Sequence, residues 1–268
     1  MCLNPIPFVR EKNGIRILRN IDPVRLQTLE GIDGFLSCGK CVECQMNYSN
    51  SWALRCVQEM KYHKIACFVT LTYNEKNLPS HGVDKEEIQR FIKRIRKDNN
   101  KLRYFACGEY GSKGLRPHYH LIFFGFVPPD LIPLWKDEKG NQLYTSDYLV
   151  EKWHLKGFVS VGLSYDISSI KYCCKYLQKS LDNQIWKLGL NPSFILMSRV
   201  PMLGLREKDI DINSPFEYYN GKTYYKPGAY NRKIPPFLKP QINVQHTSLA
   251  VLSNKKKKIA NFLPKGID

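Results

Sequence analysis

The chain has 268 residues, 43% of them hydrophobic, which is enough to bury a core in one large domain or in one domain with appendages. Its 41 Lys and Arg against 24 Asp and Glu leave a formal net charge of +17, which favours a nucleic acid partner over a basic surface that only confers solubility. The sequence has no signal-peptide pattern, no run of about 18 apolar residues and no phosphate-binding loop, so we expect a cytosolic protein with no membrane partner and no ATP-driven motor.

The first part of the chain predicts helices and strands behind an N-terminal segment that carries three closely spaced cysteines. Apolar residues at helical spacing predict a helix over 51–63, and the stretch ACFVTLTY predicts a strand over 66–73. Asp84 begins a capping box with Glu87, and the helix that follows has one apolar stripe, formed by Ile88, Phe91, Ile92 and Ile95.

Three more strands and a helix follow. LRYFAC (102–107) and HYHLIFFGF (118–126) are joined by a glycine-rich connection that suits a hairpin. GFVSVGL (157–163) predicts another strand, and DISSIKYCCKYLQKSL (166–181) predicts a helix.

This order of elements has no regular βαβ alternation, so it predicts an α+β fold with a central antiparallel sheet and helices packed on one face. We expect a Cys-rich segment over 1–50 packed on the core and a core over 51–190. Residues 191–268 are expected to form an irregular, basic, Tyr- and Pro-rich extension.

Two histidines, His118 and His120, begin an otherwise apolar strand. Side chains alternate in a strand, so both point the same way about 7 Å apart, and hairpin pairing would bring Glu109 beside them. Two imidazoles and a carboxylate leave open positions on Mg²⁺ or Mn²⁺, and the same trio also suits a catalytic zinc ion. The alternative is a pair of hydrogen-bonded histidines at a strand edge.

The helix over 166–181 has two tyrosines away from its apolar stripe. Tyr172 and Tyr176 are four residues apart, so they lie on one side of the helix, with Lys175 and Lys179 alongside. A phenol is a weak nucleophile at neutral pH, and a nearby cation and a metal-polarised phosphate are the available remedies. Lys175 is the candidate cation, and simple packing of the two rings is the alternative.

Three stretches together resemble a known family. FVTLTY, CGEYGSKGLRPHYHLIFFGF and YCCKYLQK are similar, in this order, to the three motifs of the HUH endonucleases, which initiate rolling-circle replication. The form with two tyrosines resembles the replication initiators of microviruses, which are small single-stranded DNA phages. MCLNPIP and CGKCVECQMNYSNSWALR resemble the gokushovirus branch of that group, and the resemblance covers about residues 1–185.

The resemblance implies a role for each matched position. His118, His120 and Glu109 would hold Mg²⁺ or Mn²⁺, with Glu75 as a competing carboxylate. Tyr172 and Tyr176 would be the nucleophiles, assisted by Lys175, in a transesterification that leaves a 5′-phosphotyrosine and a free 3′-OH. The implied partners are single-stranded or supercoiled phage origin DNA and the host helicase and DNA polymerase, in the cytoplasm of a bacterial host.

The N-terminal cysteines have the spacing of a metal site. Cys38, Cys41 and Cys44 form CxxCxxC, and Cys2 is a candidate fourth ligand that would also anchor the N-terminus. Structural zinc and free thiols are both open readings, and an iron–sulfur cluster is a third that would need a further cysteine such as Cys56.

Tyrosines and cations interleave over residues 217–233, where bases could stack on the rings while the cations follow the phosphates. A solvated loop whose tyrosines pack on the core is the alternative. The candidate DNA-binding residues are Arg116, Lys179, Tyr224, Lys226 and Arg232.

Two other functions compete with a tyrosine-dependent nickase. A non-catalytic DNA-binding protein with a structural zinc site would bind DNA without cutting it. A zinc hydrolase built on His118, His120 and Glu109 would form no covalent tyrosine adduct.

Overall fold

The structure is a computed structural model that describes residues 2–19, 31–111, 114–138, 140–163, 170, 185 and 187–204, with the backbone alone of 216–219 and 222–225. These residues fall into two compact units, of which the first extends to Asn47 and the second begins at Tyr48.

The first unit contains a small antiparallel sheet. Strand β1 (Ile6–Glu11) lies between β2 (Gly14–Ile17) and β3 (Gly34–Leu36). Ile6 pairs with Leu36, so the residues before β1 run beside the residues after β3. Helix α1 (Val42–Met60) begins in this unit and ends in the second.

The second unit contains the remaining elements. A 3₁₀ turn at Glu75–Asn77 follows the first strand of this unit. The helices and strands are β4 (Ala66–Thr72), α2 (Lys85–Asp98), β5 (Arg103–Tyr110), β6 (Pro117–Phe124), β7 (Leu131–Lys136), β8 (Gln142–Ser146), α3 (Asp147–Lys152), β9 (Val159–Gly162), β10 (Phe194–Met197), β11 (Phe216–Tyr219) and β12 (Lys222–Tyr225).

A seven-stranded sheet in the order β10-β5-β6-β4-β9-β8-β7 organises this unit, and every neighbouring pair is antiparallel. Strand β6 pairs with β5 on one side and with β4 on the other along its length. Two of the stretches that resemble nuclease motifs therefore become adjacent strands, although about fifty residues separate them in sequence.

Both faces of the sheet carry a core, because residues alternate along each strand. Tyr119, Leu121 and Phe123 of β6 belong to a cluster with the apolar stripe of α2 and with Trp153. Ile122 and Phe124 belong to a second cluster with Phe105 and with α1 residues such as Trp52 and Val57. We call the side of the sheet that carries Phe105, His118, His120 and Ile122 the histidine face.

Helix α2 forms for the reason that its sequence indicates. Asp84 is its N-cap, and the Asp84 side chain accepts a hydrogen bond from the Glu86 amide. The predicted stripe is buried, and burial of each large apolar side chain contributes roughly 1.5–3 kcal/mol. Glu87 does not close the expected capping box, since its carboxylate instead pairs with Arg90 and Lys156.

The predicted fold class is confirmed, with differences in detail. Helices cover both faces of the sheet rather than one, because α1 packs against the second cluster. The helix expected over 51–63 begins earlier, at Val42, and β7, β8 and α3 were not predicted. Residues 194–197 form β10, at the edge of the sheet beyond β5. The three expected domain limits stay a prediction.

No helix in the described part of the chain is long and apolar enough to cross a membrane.

A buried ion pair ties the segment after β10 to α1 and β5. The Glu59 carboxylate accepts hydrogen bonds from Arg103 Nε at 2.8 Å and from the Gly204 amide at 2.9 Å. Arg103 also donates to the carbonyl oxygens of Val200 and Pro201. Burial raises the pKa of Glu59, but the hydrogen bonds and charge of Arg103 outweigh this and bring it from 4.5 to about 2.

We predict that Glu59→Gln destabilises the protein by roughly 3–5 kcal/mol at neutral pH, because it leaves Arg103 buried without its counter-ion. A depressed folded-state pKa stabilises the fold above pH 4.5, and this stabilisation is lost as pH falls towards 2. Urea unfolding followed by Trp fluorescence at several pH values should therefore show a smaller acid loss in Glu59→Gln than in wild type.

The matched control is Glu86→Gln, which removes an exposed carboxylate paired with Arg90. It should change the free energy of unfolding by under about 1 kcal/mol. Equal destabilisation by the two substitutions would contradict the assigned role of Glu59.

Candidate metal centre and active site

The register of β5, β6 and β4 assembles the predicted trio on the histidine face. Glu109 pairs directly with His118, and His120 lies between Cys107 and Thr70. The Nε2 atoms of His118 and His120 lie 2.6 Å and 3.1 Å from the same oxygen, Oε1 of Glu109. The three residues form a group whose potential ligand atoms all lie within 4.8 Å of one another. The structure therefore brings together the residues that strand alternation and hairpin pairing predicted.

The two imidazole rings are each fixed from behind. His118 Nδ1 donates to the Arg116 carbonyl oxygen at 3.1 Å, and His120 Nδ1 lies 3.1 Å from Thr70 Oγ1. Because a carbonyl only accepts, a neutral His118 turns the lone pair of Nε2 towards the Glu109 carboxylate. Only a proton or a cation can satisfy two facing lone pairs. Histidines that bind metals are commonly held by such a bond at the other ring nitrogen.

Glu109 supplies a second sign that the trio suits a cation. Its side chain is 1% exposed, and among the described residues its Oε2 has no hydrogen-bond partner. A buried carboxylate oxygen without a partner is costly, and a bound metal ion is one remedy. Burial raises the pKa of Glu109, yet the hydrogen bonds from His118 and His120 bring it below its ordinary value. The carboxylate is therefore charged at neutral pH.

The two histidines differ in exposure. The His120 side chain is 6% exposed, whereas that of His118 is 19% exposed. Burial lowers the pKa of His120, and the hydrogen bond to Glu109 offsets only part of this effect. His120 is thus neutral at neutral pH, which is the form that binds metals. Phe68 packs on its ring with a centroid distance of 5.5 Å.

Glu75, the competing carboxylate, lies outside this trio. Its side chain is 82% exposed and pairs with Arg116 Nη1 at 2.5 Å. Arg116 also donates to the Tyr73 carbonyl oxygen at 2.7 Å, so its guanidinium is held beside the rim of the site. Of the two carboxylates considered, the structure brings Glu109 to the histidines.

Thr70 is a site residue that the sequence analysis missed. It precedes the end of β4 and shares the histidine face with Thr72, since these two residues pair with His120 and His118. Two threonines at alternate positions of an otherwise apolar strand were the available signal. Their hydroxyls are the polar atoms that this face requires beside a polar site.

Several predicted site residues lie outside the described residues, namely Tyr172, Lys175, Tyr176, Lys179, Lys226 and Arg232. Tyr224 belongs to β12, of which the backbone alone is described, and it pairs with Glu217 of β11. Ile170, two residues before Tyr172, is described: it is helical, 2% exposed and part of the second cluster with Ile122. Its burial agrees with the predicted apolar stripe, and it lies on the histidine face.

The first unit contains a separate group of four cysteines, Cys2, Cys38, Cys41 and Cys44, whose sulfurs all lie within 4.8 Å of one another. The distances from Cys38 to Cys44 and from Cys2 to Cys41 are both 3.9 Å, too long for a disulfide. Tetrahedral coordination at about 2.3 Å per sulfur separates the ligands by ~3.8 Å, so the spacing fits a zinc ion.

Backbone amides point at these sulfurs. The amides of Leu3, Cys38 and Cys41 donate to the thiols of Cys41, Cys2 and Cys38, respectively. Burial raises the pKa of Cys41, but the amides lower it to about 6. Burial and the neighbouring Cys41 raise the pKa of Cys44 to about 12. One thiolate therefore forms readily, and a bound cation would relieve the repulsion that opposes the next.

The other described cysteines are core residues, as predicted. Cys56, Cys67 and Cys107 are at most 1% exposed. Cys56, which an iron–sulfur cluster would need, is buried in the cluster that contains Trp52 and Phe105.

Comparison with known proteins gives consistent results. The profile of the family of replication-associated protein ORF2 matches residues 66–181, a range that includes Glu109, both histidines of the trio and both predicted tyrosines. The chain is 33% identical over 217 residues to the replication-associated protein ORF2 of Spiroplasma virus 4, which covers 74% of this chain and 67% of that protein.

Two further relatives match over a shorter region. The replication-associated proteins VP4 of Bdellovibrio phage phiMH2K and ORF4 of Chlamydia phage 1 are each 33% identical over 153 residues, or 54% of this chain. The matches cover 48% and 38% of those two proteins. No solved structure matches the chain significantly.

Proposed function

This chain belongs to the family of phage replication-associated proteins typified by ORF2, and from this premise we propose that it is an HUH-type endonuclease that nicks and rejoins single-stranded DNA to initiate rolling-circle replication. The observation that carries the proposal is the convergence of two imidazoles and a buried carboxylate with an orphan oxygen on one open-sided polar patch of the sheet. A purely structural trio would leave Glu109 Oε2 desolvated with nothing in return.

In this proposal Glu109, His118 and His120 hold a divalent cation. One oxygen and two neutral nitrogens suit Mn²⁺ or Mg²⁺ with open positions for phosphate oxygens. The ion would polarise the scissile phosphate and neutralise its developing charge. Thr70 and the Arg116 carbonyl hold the rings so that both Nε2 atoms face the carboxylate.

The proposed nucleophiles are Tyr172 and Tyr176. The phenolic oxygen attacks phosphorus, the bond from phosphorus to the 3′ oxygen breaks, and the phenolic proton is transferred to the departing 3′ oxygen. The products are a 5′-phosphotyrosine and a free 3′-OH, which a polymerase can extend. Lys175 is proposed to stabilise the phenolate. Two tyrosines four residues apart would allow a second cut while the first still holds a 5′ end.

The energy of the broken ester is kept in the phosphotyrosine, so rejoining needs no ATP. This agrees with a sequence that has no phosphate-binding loop. The proposed partners are single-stranded or supercoiled phage origin DNA and the helicase and DNA polymerase of a bacterial host, in whose cytoplasm the protein would act. The net charge of +17 supports a DNA substrate.

We propose in addition that the four cysteines of the first unit bind a structural zinc ion. The sulfur spacing and the three amide hydrogen bonds support this assignment. Cys2 would tie the start of the chain to the turn before α1, and the ion would stabilise a unit whose sheet has only three strands.

For the nuclease, we predict a covalent DNA adduct. Purified protein incubated with Mn²⁺ and labelled single-stranded DNA of the phage genome should give a slow, protease-sensitive band on a denaturing gel. Tyr172→Phe or Tyr176→Phe alone should reduce the adduct, and the double substitution should abolish it. The control Tyr48→Phe, at a half-exposed position of α1, should leave it unchanged. DNA binding without any adduct would favour the non-catalytic binding protein instead.

For the metal centre, we predict that Glu109→Gln and His120→Ala abolish the adduct and its dependence on Mn²⁺. Thr70→Val keeps the ligands but removes the hydroxyl next to His120 Nδ1, so it should weaken Mn²⁺ binding about 10- to 100-fold. Titration calorimetry with Mn²⁺ measures this directly. His81→Ala, at an exposed histidine outside the trio, is the matched control. Unchanged Mn²⁺ affinity in Glu109→Gln would contradict the site.

For the cysteine group, we predict about one zinc ion per purified chain, measured by mass spectrometry of the metal. Cys38→Ser and Cys41→Ser should each lose the ion and lower the melting temperature, because each removes one of four thiolate ligands. Cys67→Ala, at a buried cysteine of β4, should retain the zinc. A wild-type protein without zinc, or iron in its place, would refute the assignment.

A further inference from the structure

Phe158 lies beside the candidate metal centre on the histidine face. Val159 and Val161 of β9 are buried in the cluster of α2, so alternation directs Phe158 to the opposite side of the sheet. Thr72 donates its amide hydrogen to the Phe158 carbonyl oxygen at 3.0 Å, and Thr72 pairs with His118. Phe158 is therefore two strands away from His118 in the same row, or ~10 Å.

The ring of Phe158 is 74% exposed, although a phenylalanine of this size is normally buried. Trp135 is also exposed, at 60%, but it lies on the edge strand β7, three strands beyond β4 in the sheet. Phe158 thus combines an open aromatic surface with a place next to the trio. The fold itself gains little from the ring.

The backbone that presents this ring is tightly held. The Trp153 indole donates to the Thr72 carbonyl oxygen at 3.0 Å, and the Asn74 amide donates to the Lys156 carbonyl oxygen at 2.9 Å. Gly157 sits so close to β4 that a Cβ atom there would lie 2.1 Å from the Thr72 carbonyl oxygen. The ring is therefore offered from a fixed position, as a recognition surface requires.

We propose that Phe158 is a stacking platform for a base of the single-stranded DNA that the metal centre acts on. This inference rests on the proposed function, since it assumes a phosphodiester at Glu109, His118 and His120. Neighbouring phosphates in one strand of a duplex are about 3.4 Å apart along the axis, so ~10 Å places the ring within a few nucleotides of the scissile bond.

Single-stranded DNA fits this surface better than a second protein does. Aromatic rings stack on exposed bases while cations follow the phosphates, and the chain carries a charge of +17 with Arg116 and Lys156 near the same end of β4. A duplex keeps its bases stacked on each other and offers no free base for the ring. Phe158 is therefore a positioning residue that selects unpaired DNA.

The test uses the full chain with Tyr172→Phe and Tyr176→Phe, so that binding is not covalent, and with Mn²⁺ present. Fluorescence anisotropy measures binding of labelled oligothymidine and of an oligonucleotide of the same length made of abasic sites. We expect Phe158→Ala to weaken oligothymidine binding roughly 5- to 150-fold and to leave abasic binding unchanged. Phe158→Trp should retain the preference for oligothymidine, and Trp135→Ala is the matched control at an exposed aromatic residue.

Two outcomes would overturn the proposal. Phe158→Ala could bind oligothymidine as tightly as the parent protein, or it could weaken both oligonucleotides equally. A clear drop in its melting temperature would also overturn it, because the ring would then be packing against this chain. Failure of the nuclease proposal is separate: wild-type protein would bind oligothymidine through Phe158 but form no covalent adduct with phage DNA.

Discussion

The candidate active site depends on one constraint, the register in which β6 pairs with β5 and β4. A slip of one residue would move Glu109 to the opposite face and leave two histidines without a carboxylate. The register is fixed because β6 is buried on both faces, with Tyr119 and Phe123 in one cluster and Ile122 and Phe124 in the other. The polar trio is thus held by apolar neighbours along the same strand.

This constraint explains how much of the site the sequence predicts. Alternation places His118 and His120 on one face, and a hairpin brings Glu109 to them, so local rules suffice for all three. The choice between Glu109 and Glu75 needed the tertiary structure. Glu75 also follows a strand that pairs with β6, but its 3₁₀ turn carries it out to Arg116 and solvent.

The unpredicted elements have weak sequence patterns. Strand β7 contains Pro133 and is largely exposed, which only an edge strand tolerates, so its six residues do not alternate. Helix α3 has six residues and one buried side chain, Leu149, too few for a helical period. Cys2 is distant in sequence from Cys38, and the pairing of Ile6 with Leu36 brings them together. In contrast, α2 has a cap and a full apolar stripe, and both were predicted.

The two faces of the sheet divide stability from chemistry. The α2 face is closed by aromatic residues such as Phe91, Tyr119 and Trp153, and the Tyr73 and Tyr119 hydroxyls there hydrogen-bond to each other. On the histidine face, α1 covers the end of the sheet at Phe105 and Phe124, whereas the other end carries threonines, the trio and Phe158. Burial decreases from His120 to His118 to Phe158 in that direction. A buried neutral ligand, a ligand at the rim and an open ring are the sequence of environments that a metal, a phosphate and a base each need.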